Sequence, residues 1–435
     1  MEQSGSARLA LSGTAGKRRY FGTDGVRGVV GEELTCELVE QLGKAATLWS
    51  GCGRVFVGRD TRASGVELEE AFARGVVAAG GNAVLAGVLP TPAVALLALD
   101  LGVVITASHN PPEYNGVKFF DGDGNKLSDR SEEEIEARLD GPGPGGGAID
   151  RVDVATDSYL EHIVERFGSD LAGLRVGVDC ANGAYSAIAP EAFEQLGAEV
   201  VAIGIDPDGT NINQGCGATD LVALSNKVRA ERCDLGVAFD GDGDRMLAVD
   251  AGGGVVDGDQ ILAILVPHLG VDIVAVTVMT NLGFHRLMAE RGVRVVTTAV
   301  GDRYVLEALR REGAILGGEQ SGHVICLRDH VTGDGLAAAL LLCEAIRGRT
   351  LAEAAAAMPR YAQAKEDVRV GRGGVPAAAI AEAERLNASL DGSGRVVVRA
   401  SGTEPLIRVL GEAETAEEAS RLCGTIAALV RRELG

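Results

Sequence analysis

Short apolar runs rich in Val, Ile and Leu alternate along the chain with longer stretches of helical periodicity. That alternation is the pattern of βαβ units with mostly parallel sheets. Runs at 54–57, 84–86 and 103–105 predict three strands, with a helix over 67–79. A second triplet lies at 175–178, 200–203 and 235–239, with a helix at 190–196, and a third at 273–276, 293–296 and 314–316. The same phrase thus occurs three times at loose spacing, which fits divergent duplication rather than a solenoid. From about 361 the pattern changes to runs at 396–398 and 406–410 and a long helix over 415–434, a small α+β unit. The expected fold class is α/β: three similar α/β domains with mixed, largely parallel sheets, plus a small C-terminal α+β domain.

Backbone punctuation suggests where these units divide. The Gly/Pro run at 141–147 can form neither a helix nor a central strand, and three glycines at 252–254 interrupt the second unit near its end. An Ala-rich helix over 351–358, stopped by Pro359, closes the third. The expected domains are 1–150, 151–252, 253–360 and 361–435, with 1–19 as a loose leader.

Composition narrows the possible partners. The 435 residues are 46% hydrophobic but only 4% aromatic, enough for several cores. A net charge of -21 disfavours nonspecific binding to nucleic acid or an anionic membrane, so an anionic ligand needs a local basic cluster. Eight cysteines lie scattered without a Cys-x-x-Cys pair, as expected of reduced thiols. No run reaches about 18 apolar residues, and the amino terminus lacks a secretory pattern. A cytoplasmic monomer or homodimer is expected, with a small-molecule partner, no nucleic acid and no membrane.

Each triplet delivers an unusual loop after its third strand, where ligands collect in such sheets. The first carries Thr106, Ala107, Ser108, His109, Asn110 and Pro111. A serine there is ordinarily a turn residue, but a hydroxyl in a rigid loop at a strand end can be phosphorylated. His109 and Lys118 lie near enough to stabilise charge or move a proton. In the second loop, Asp240, Asp242 and Asp244 alternate with glycines, so that carboxylates of an extended segment converge on one point. A hard divalent cation, Mg²⁺ above all, relieves that repulsion, and a phosphate on Ser108 supplies a further charged oxygen. The third loop offers Glu319, Ser321 and His323 to sugar hydroxyls. Beyond it, Arg399, Ser401, Gly402, Thr403 and Arg408 form a phosphate nest.

Two lookalikes stand beside these loops. Asp121, Asp123, Asn125 and Glu132 have the ligand spacing of an EF-hand, but Lys126 occupies the position that needs Gly, so a hairpin turn is expected. The Asp240 loop also suggests an aspartyl-phosphate phosphatase, although Asp244 stands where that pattern expects Thr or Val.

Five segments, 21–28, 106–111, 240–245, 318–323 and 399–405, resemble in sequence and order the signatures of the α-D-phosphohexomutase superfamily. They span nearly the whole chain. Residues 300–306 and Gln320 are similar to its branch acting on glucosamine phosphates. The resemblance implies four domains around a central cleft, with Ser108 as the phosphoserine and Asp240, Asp242 and Asp244 (with Ser108) as ligands of one Mg²⁺ per subunit. It also implies Arg27 and Arg245 in the catalytic centre, Lys118 or His323 in proton transfer, and Glu319 and Ser321 on the sugar. The implied activity is interconversion of glucosamine 6-phosphate and glucosamine 1-phosphate, with a bisphosphorylated sugar as intermediate and activator. A phosphomannomutase/phosphoglucomutase of the same superfamily, a sugar-phosphate phosphatase and a noncatalytic sensor are the alternatives.

Overall fold

A computed structural model describes residues 19–434 except 23, 52, 371–373 and 402–404. The leader through residue 18 and two members of the expected phosphate nest, Gly402 and Thr403, lie outside the described residues. Four sheets follow one another along the chain. The first has six strands in the spatial order Val26–Val29, Tyr114–Asp121, Leu101–Ile105, Arg54–Arg59, Asn82–Val88 and Ile149–Arg151. In the second the order is Val255–Val256, Met246–Asp250, Leu235–Phe239, Arg175–Asp179, Glu199–Ile203. The third runs Arg294–Thr298, Ile273–Thr277, Leu316–Gly318, Val324–Cys326.

In every one of these sheets the three strands of the repeated phrase pair in parallel. The strand that follows the third strand's loop then returns antiparallel beside it. These return strands escaped the hydrophobic pattern. Tyr114–Asp121 buries Asn115 and Lys118 among Val117, Phe119 and Phe120, so polar residues interrupt the expected apolar run. The return strand matters because it places a second set of side chains against each loop.

The fourth sheet is antiparallel throughout, with Leu406–Ala413 between Ala362–Arg369 and Gly394–Ala400. Helices Ala377–Leu390 and Ala416–Leu434 complete this unit. Its core, including Val368, Ile407, Leu422 and Ile426, is its own. By contrast, one continuous apolar cluster runs from Phe56 and Phe120 of the first sheet through Val178 and Phe239 of the second to Val276 and Leu316 of the third. Burying a Phe or Val of this kind contributes about 1.5–3 kcal/mol. The first three units are therefore welded by packing, and the last is joined mainly through polar contacts.

Some expectations shift in detail. The helix expected over 351–358 is Leu351–Ala355 followed by turns, started by a capping box between Thr350 and Glu353. The glycines at 252–254 make the turn between two paired strands, where Asp250 accepts hydrogen bonds from Gly252 and Gly254. Residues 121–126 form the expected hairpin turn, with Asp121 accepting from the backbone of Asp123 and Asn125. The described cysteines are free thiols, and among the described residues no helix is long and apolar enough to cross a membrane.

Candidate active site

Ser108, the residue on which the sequence reading turned, follows Leu101–Ile105 and is 1% exposed. Its φ of 53° is left-handed, a conformation a non-glycine residue keeps only where its surroundings dictate it. Its hydroxyl donates to Asp240 Oδ2 at 2.5 Å, and His109 Nδ1 lies 3.3 Å from the same oxygen. Residues 132 positions apart thus meet side by side.

Asp240, Asp242 and Asp244 offer carboxylate oxygens within 4.8 Å of one another, all three side chains being buried. The convergence does not come from an extended segment, as alternation suggested. Residues 241–244 form a turn, with Gly243 at φ 78° lying so close to the Tyr185 ring that a Cβ would sit 2.4 Å from it. Only glycine fits that approach. Burial and the neighbouring Asp242 and Asp244 push the Asp240 carboxyl well above the usual carboxylate range. Burial also opposes charge on Asp244, but Lys118, His323 and Arg245 overcome it and hold that carboxyl well below the range.

This donor set fits a divalent cation. Asp242 Oδ1 and Asp244 Oδ1 are buried without a hydrogen-bond donor among the described residues. Their partner oxygens are already engaged: Asp242 Oδ2 accepts from Thr91 Oγ1 at 2.6 Å and Lys118 Nζ at 2.7 Å, and Asp244 Oδ2 from Lys118 at 3.2 Å. Oδ2 of each of these two residues is tied down, and the two Oδ1 atoms, beside Asp240, keep acceptor capacity for a hard cation.

A cationic rim surrounds this anionic centre. Arg245 Nη1 lies 3.3 Å from His109 Nδ1, and its backbone N–H donates to Asp240 Oδ1 at 3.1 Å. Arg27 donates to the carbonyl of Ala107 and pairs with Asp24. Burial, Arg245 and Arg27 together lower His109 to about 4, so its imidazole is neutral at neutral pH. Burial disfavours charge on Lys118 too, yet Asp24, Asp242 and Asp244 hold its ammonium well above the usual range. His323 is likewise raised: against the cost of burial, Asp244 at 3.7 Å and Asp302 at 3.6 Å favour its charged form.

Asp24, Thr91, Lys126 and Asp302 are members of this network that sequence reasoning missed. Lys126 Nζ reaches Asp24 Oδ1 at 2.5 Å and also pairs with Asp302. It is the residue that spoiled the EF-hand spacing, and that mismatch was the available signal.

The remaining predicted residues lie at the third and fourth sheets. Glu319, half-buried, accepts from the backbone of Gly301 at 3.2 Å, while Ser321 is exposed beside it. The Gly322 carbonyl accepts from Met246 N–H at 3.0 Å, which ties this loop to the strand leaving the aspartate turn. Lys365 donates to Gln320 Oε1 at 3.0 Å, bringing the fourth sheet against the same loop. There Met279, Lys365, Asp367, Arg399 and Arg408 line a cavity of about 590 Å³. Burial and the like charge of Arg408 lower Arg399 below the usual guanidinium range, while Asp367 lies 3.9 Å from Arg408 Nε, so the pocket sets two guanidinium groups and the Lys365 ammonium against one lining carboxylate. Ser401 is half-buried at the end of the same strand.

The geometry has counterparts among known proteins. Models of the phosphoglucomutase/phosphomannomutase family match as alpha/beta/alpha domain I over 18–142, domain II over 157–253, domain III over 257–361 and the C-terminal domain over 349–429. The phosphoglucosamine mutase of Saccharopolyspora erythraea is 50% identical, covering 95% of this chain and 99% of its own. That of Pelotomaculum thermopropionicum is 47% identical, covering 94% and 98%. The crystal structure of a phosphoglucomutase/phosphomannomutase family protein from Burkholderia thailandensis superposes with a TM-score of 0.81 at 26% identity, covering 95% of this chain and 98% of that one. This chain belongs to the phosphoglucomutase/phosphomannomutase family, an assignment reached independently by its loops, its sheets and its relatives.

Proposed function

We propose that this enzyme, an isomerase of sugar phosphates, interconverts glucosamine 6-phosphate and glucosamine 1-phosphate through phosphorylated Ser108 and a bisphosphorylated sugar. The relatives that match nearly its full length bear the name of that reaction. The observation that carries the mechanism is the Ser108 hydroxyl, 2.5 Å from Asp240 inside a buried triple-carboxylate cluster.

In this reading phosphoserine 108 gives its phosphoryl group to the free sugar hydroxyl. The intermediate turns end for end, and the other phosphate returns to Ser108. Phosphoryl transfer asks the protein mainly for in-line positioning and for charge to offset the equatorial oxygens. Asp240, Asp242 and Asp244, with phosphorylated Ser108, would hold Mg²⁺, which would supply Lewis-acid neutralisation of the phosphoryl group. Arg245 and Arg27 flank Ser108 and add fixed positive charge. His109, neutral and 3.3 Å from Ser108 Oγ, is placed to take up or return the hydroxyl proton. Lys118, whose ammonium three carboxylates hold charged, and His323, whose charged form Asp244 and Asp302 favour, offset charge or donate a proton.

Glu319 and Ser321 receive sugar hydroxyls. Arg399, Ser401 and Arg408, with Gly402 and Thr403, grip the phosphate that is not reacting. A stray bisphosphorylated sugar serves as activator by rephosphorylating Ser108. The chain divides functionally at about 150, 252 and 360 and works in the cytoplasm as a monomer or homodimer. Coupled turnover of glucosamine, glucose and mannose phosphates, with Mg²⁺ and a trace of bisphosphate, tests the reading. The highest kcat/KM belongs to glucosamine 6-phosphate, and a preference for glucose or mannose phosphates would overturn it.

A further inference from the structure

Arg62 belongs to none of the loops that the sequence singles out, yet its guanidinium is sealed beneath Ser108 at 1% exposure. Nε donates to Asp60 Oδ2 at 2.9 Å. Nη1 donates to the carbonyls of Pro111 and, at 2.9 Å, Tyr114, and Nη2 to those of Ser108 at 3.0 Å and Asn110 at 2.8 Å. All five N–H groups of the fork are thereby used. Four of them hold the loop from Ser108 to Tyr114 by its backbone.

The same device reaches the other side of Ser108. Asp60 Oδ2 accepts from Thr106 Oγ1 at 2.7 Å, and Thr106 Oγ1 accepts from the Ser108 N–H at 2.9 Å. Asn213, from the second unit, donates to the carbonyls of Ser108 at 2.9 Å and Asn110 at 3.2 Å. Its own N–H donates to Ala181, and Ala218 nearby donates to the carbonyl of Phe239, the residue before Asp240. Asn213 is thereby anchored on the second unit, close to the loop that presents the aspartate cluster. A buried ion pair with every hydrogen-bonding site filled is a costly construction that defines one geometry sharply. Here that geometry is the left-handed backbone of Ser108.

We infer that Asp60, Arg62, Thr106 and Asn213 form a clamp that positions Ser108 Oγ in line for both phosphoryl transfers. They are positioning residues that touch neither sugar nor phosphoryl group. The inference rests on Ser108 as the phosphoryl carrier. In the outward step the P–Oγ bond of phosphoserine breaks as the bond from phosphorus to the sugar hydroxyl oxygen forms. The proton lost by that hydroxyl ends on Ser108 Oγ, and the return step reverses both changes. Serine has a single side-chain torsion before its oxygen, so freedom in the loop passes directly into the distance and angle of attack. Misplacement by about 1 Å costs on the order of 100-fold in rate.

Arg62→Ala would strand a buried Asp60, so the test uses the uncharged Thr106→Val and Asn213→Ala variants of the full chain, with Thr106→Ser as the conservative control. Each is assayed for Ser108 phosphate by intact mass after incubation with glucosamine 1,6-bisphosphate. The same proteins are assayed for kcat and KM on glucosamine 6-phosphate and for Mg²⁺ half-saturation. The clamp requires kcat to fall about 10- to 100-fold in both variants with KM and Mg²⁺ half-saturation nearly unmoved, and Thr106→Ser to recover most of the loss. A Thr106→Val enzyme with undiminished kcat, in a series whose parent is phosphorylated on Ser108, overturns the clamp alone. So does a loss shared equally by Thr106→Ser. A parent that never carries phosphate on Ser108 overturns the carrier reading and the clamp with it.

Discussion

The Ser108–Asp240 junction and the Arg399–Arg408 pocket both concentrate charge, but they treat it in opposite ways. At the junction, anions and cations from three units are already matched: Lys118 touches Asp24, Asp242 and Asp244, and Lys126 links Asp24 to Asp302. Apart from the oxygens facing the cation position, the charges there are paired before any ligand arrives. In the pocket, burial and the nearby Arg408 lower Arg399 across a cavity of about 590 Å³, with Asp367 3.9 Å from Arg408 Nε. In the proposed reading an incoming phosphate offsets the excess of positive charge there. The difference suits the proposed tasks, in which the reacting group is held in one geometry and the nonreacting phosphate is caught and released in two poses. Packing agrees with this division: the junction rests on the core shared by three sheets, whereas the pocket belongs to a unit with a core of its own.

The comparison can be broken most sharply at the junction. Ser108→Ala removes the carrier oxygen, and turnover should fall by more than about 10³-fold with the melting transition retained, because the hydroxyl proposed to give and receive the phosphoryl group is gone. Next, Asp242→Asn should cut kcat by about 100-fold and raise Mg²⁺ half-saturation, measured by titrating the metal at saturating substrate. Thr91→Val, which removes only the 2.6 Å hydrogen bond to Asp242, should weaken Mg²⁺ about 10-fold in the same titration. At the pocket the signature changes. A hydrogen bond to a charged group is worth about 1.5–3 kcal/mol, so Arg408→Ala should raise KM about 10- to 100-fold while kcat moves little. If Arg408→Ala lowered kcat and left KM alone, the division of labour would be reversed.

The smallest effect on turnover should come from the joint between the two regions. Asp259 Oδ2 accepts from the N–H of Asn281, whose side chain holds Tyr361 at the entry to the last unit. Burial and Asp257 raise the Asp259 carboxyl to about 7. The folded state therefore holds this proton more tightly than the unfolded chain, where an aspartate titrates near about 3.9. Stability is full below about pH 4 and declines as pH rises towards about 7, by at most about 4 kcal/mol. Asp259→Asn should flatten that slope in melting curves recorded between those pH values, with kcat unchanged.

Much of this molecule is legible in its sequence. Each strand of the threefold phrase falls within a few residues of its apolar run, and Ser108, the aspartate cluster and the Glu319 loop follow the third strand each time. Those features obey local rules: continuous apolar runs where a parallel strand is covered on both faces, glycine where the backbone curls, and ligand loops at the carboxyl ends of parallel strands. The first return strand, Tyr114–Asp121, was hidden because Asn115 and Lys118 are buried for their hydrogen bonds rather than for apolar area, so hydropathy reads them as solvent-facing.

By itself, the order of residues determined the α/β alternation, the change of pattern near 361 and the chemical content of each loop. Tertiary structure alone decided which charges are partners. Lys126 is 102 residues from Asp24, and Lys118 is 124 from Asp242. Electrostatic attraction depends on distance in space and on exclusion of water, and neither is encoded in spacing along the chain. The motifs announce a phosphoryl-transfer site, and the packing of three sheets brings its carboxylates, ammonium groups and serine within hydrogen-bonding reach.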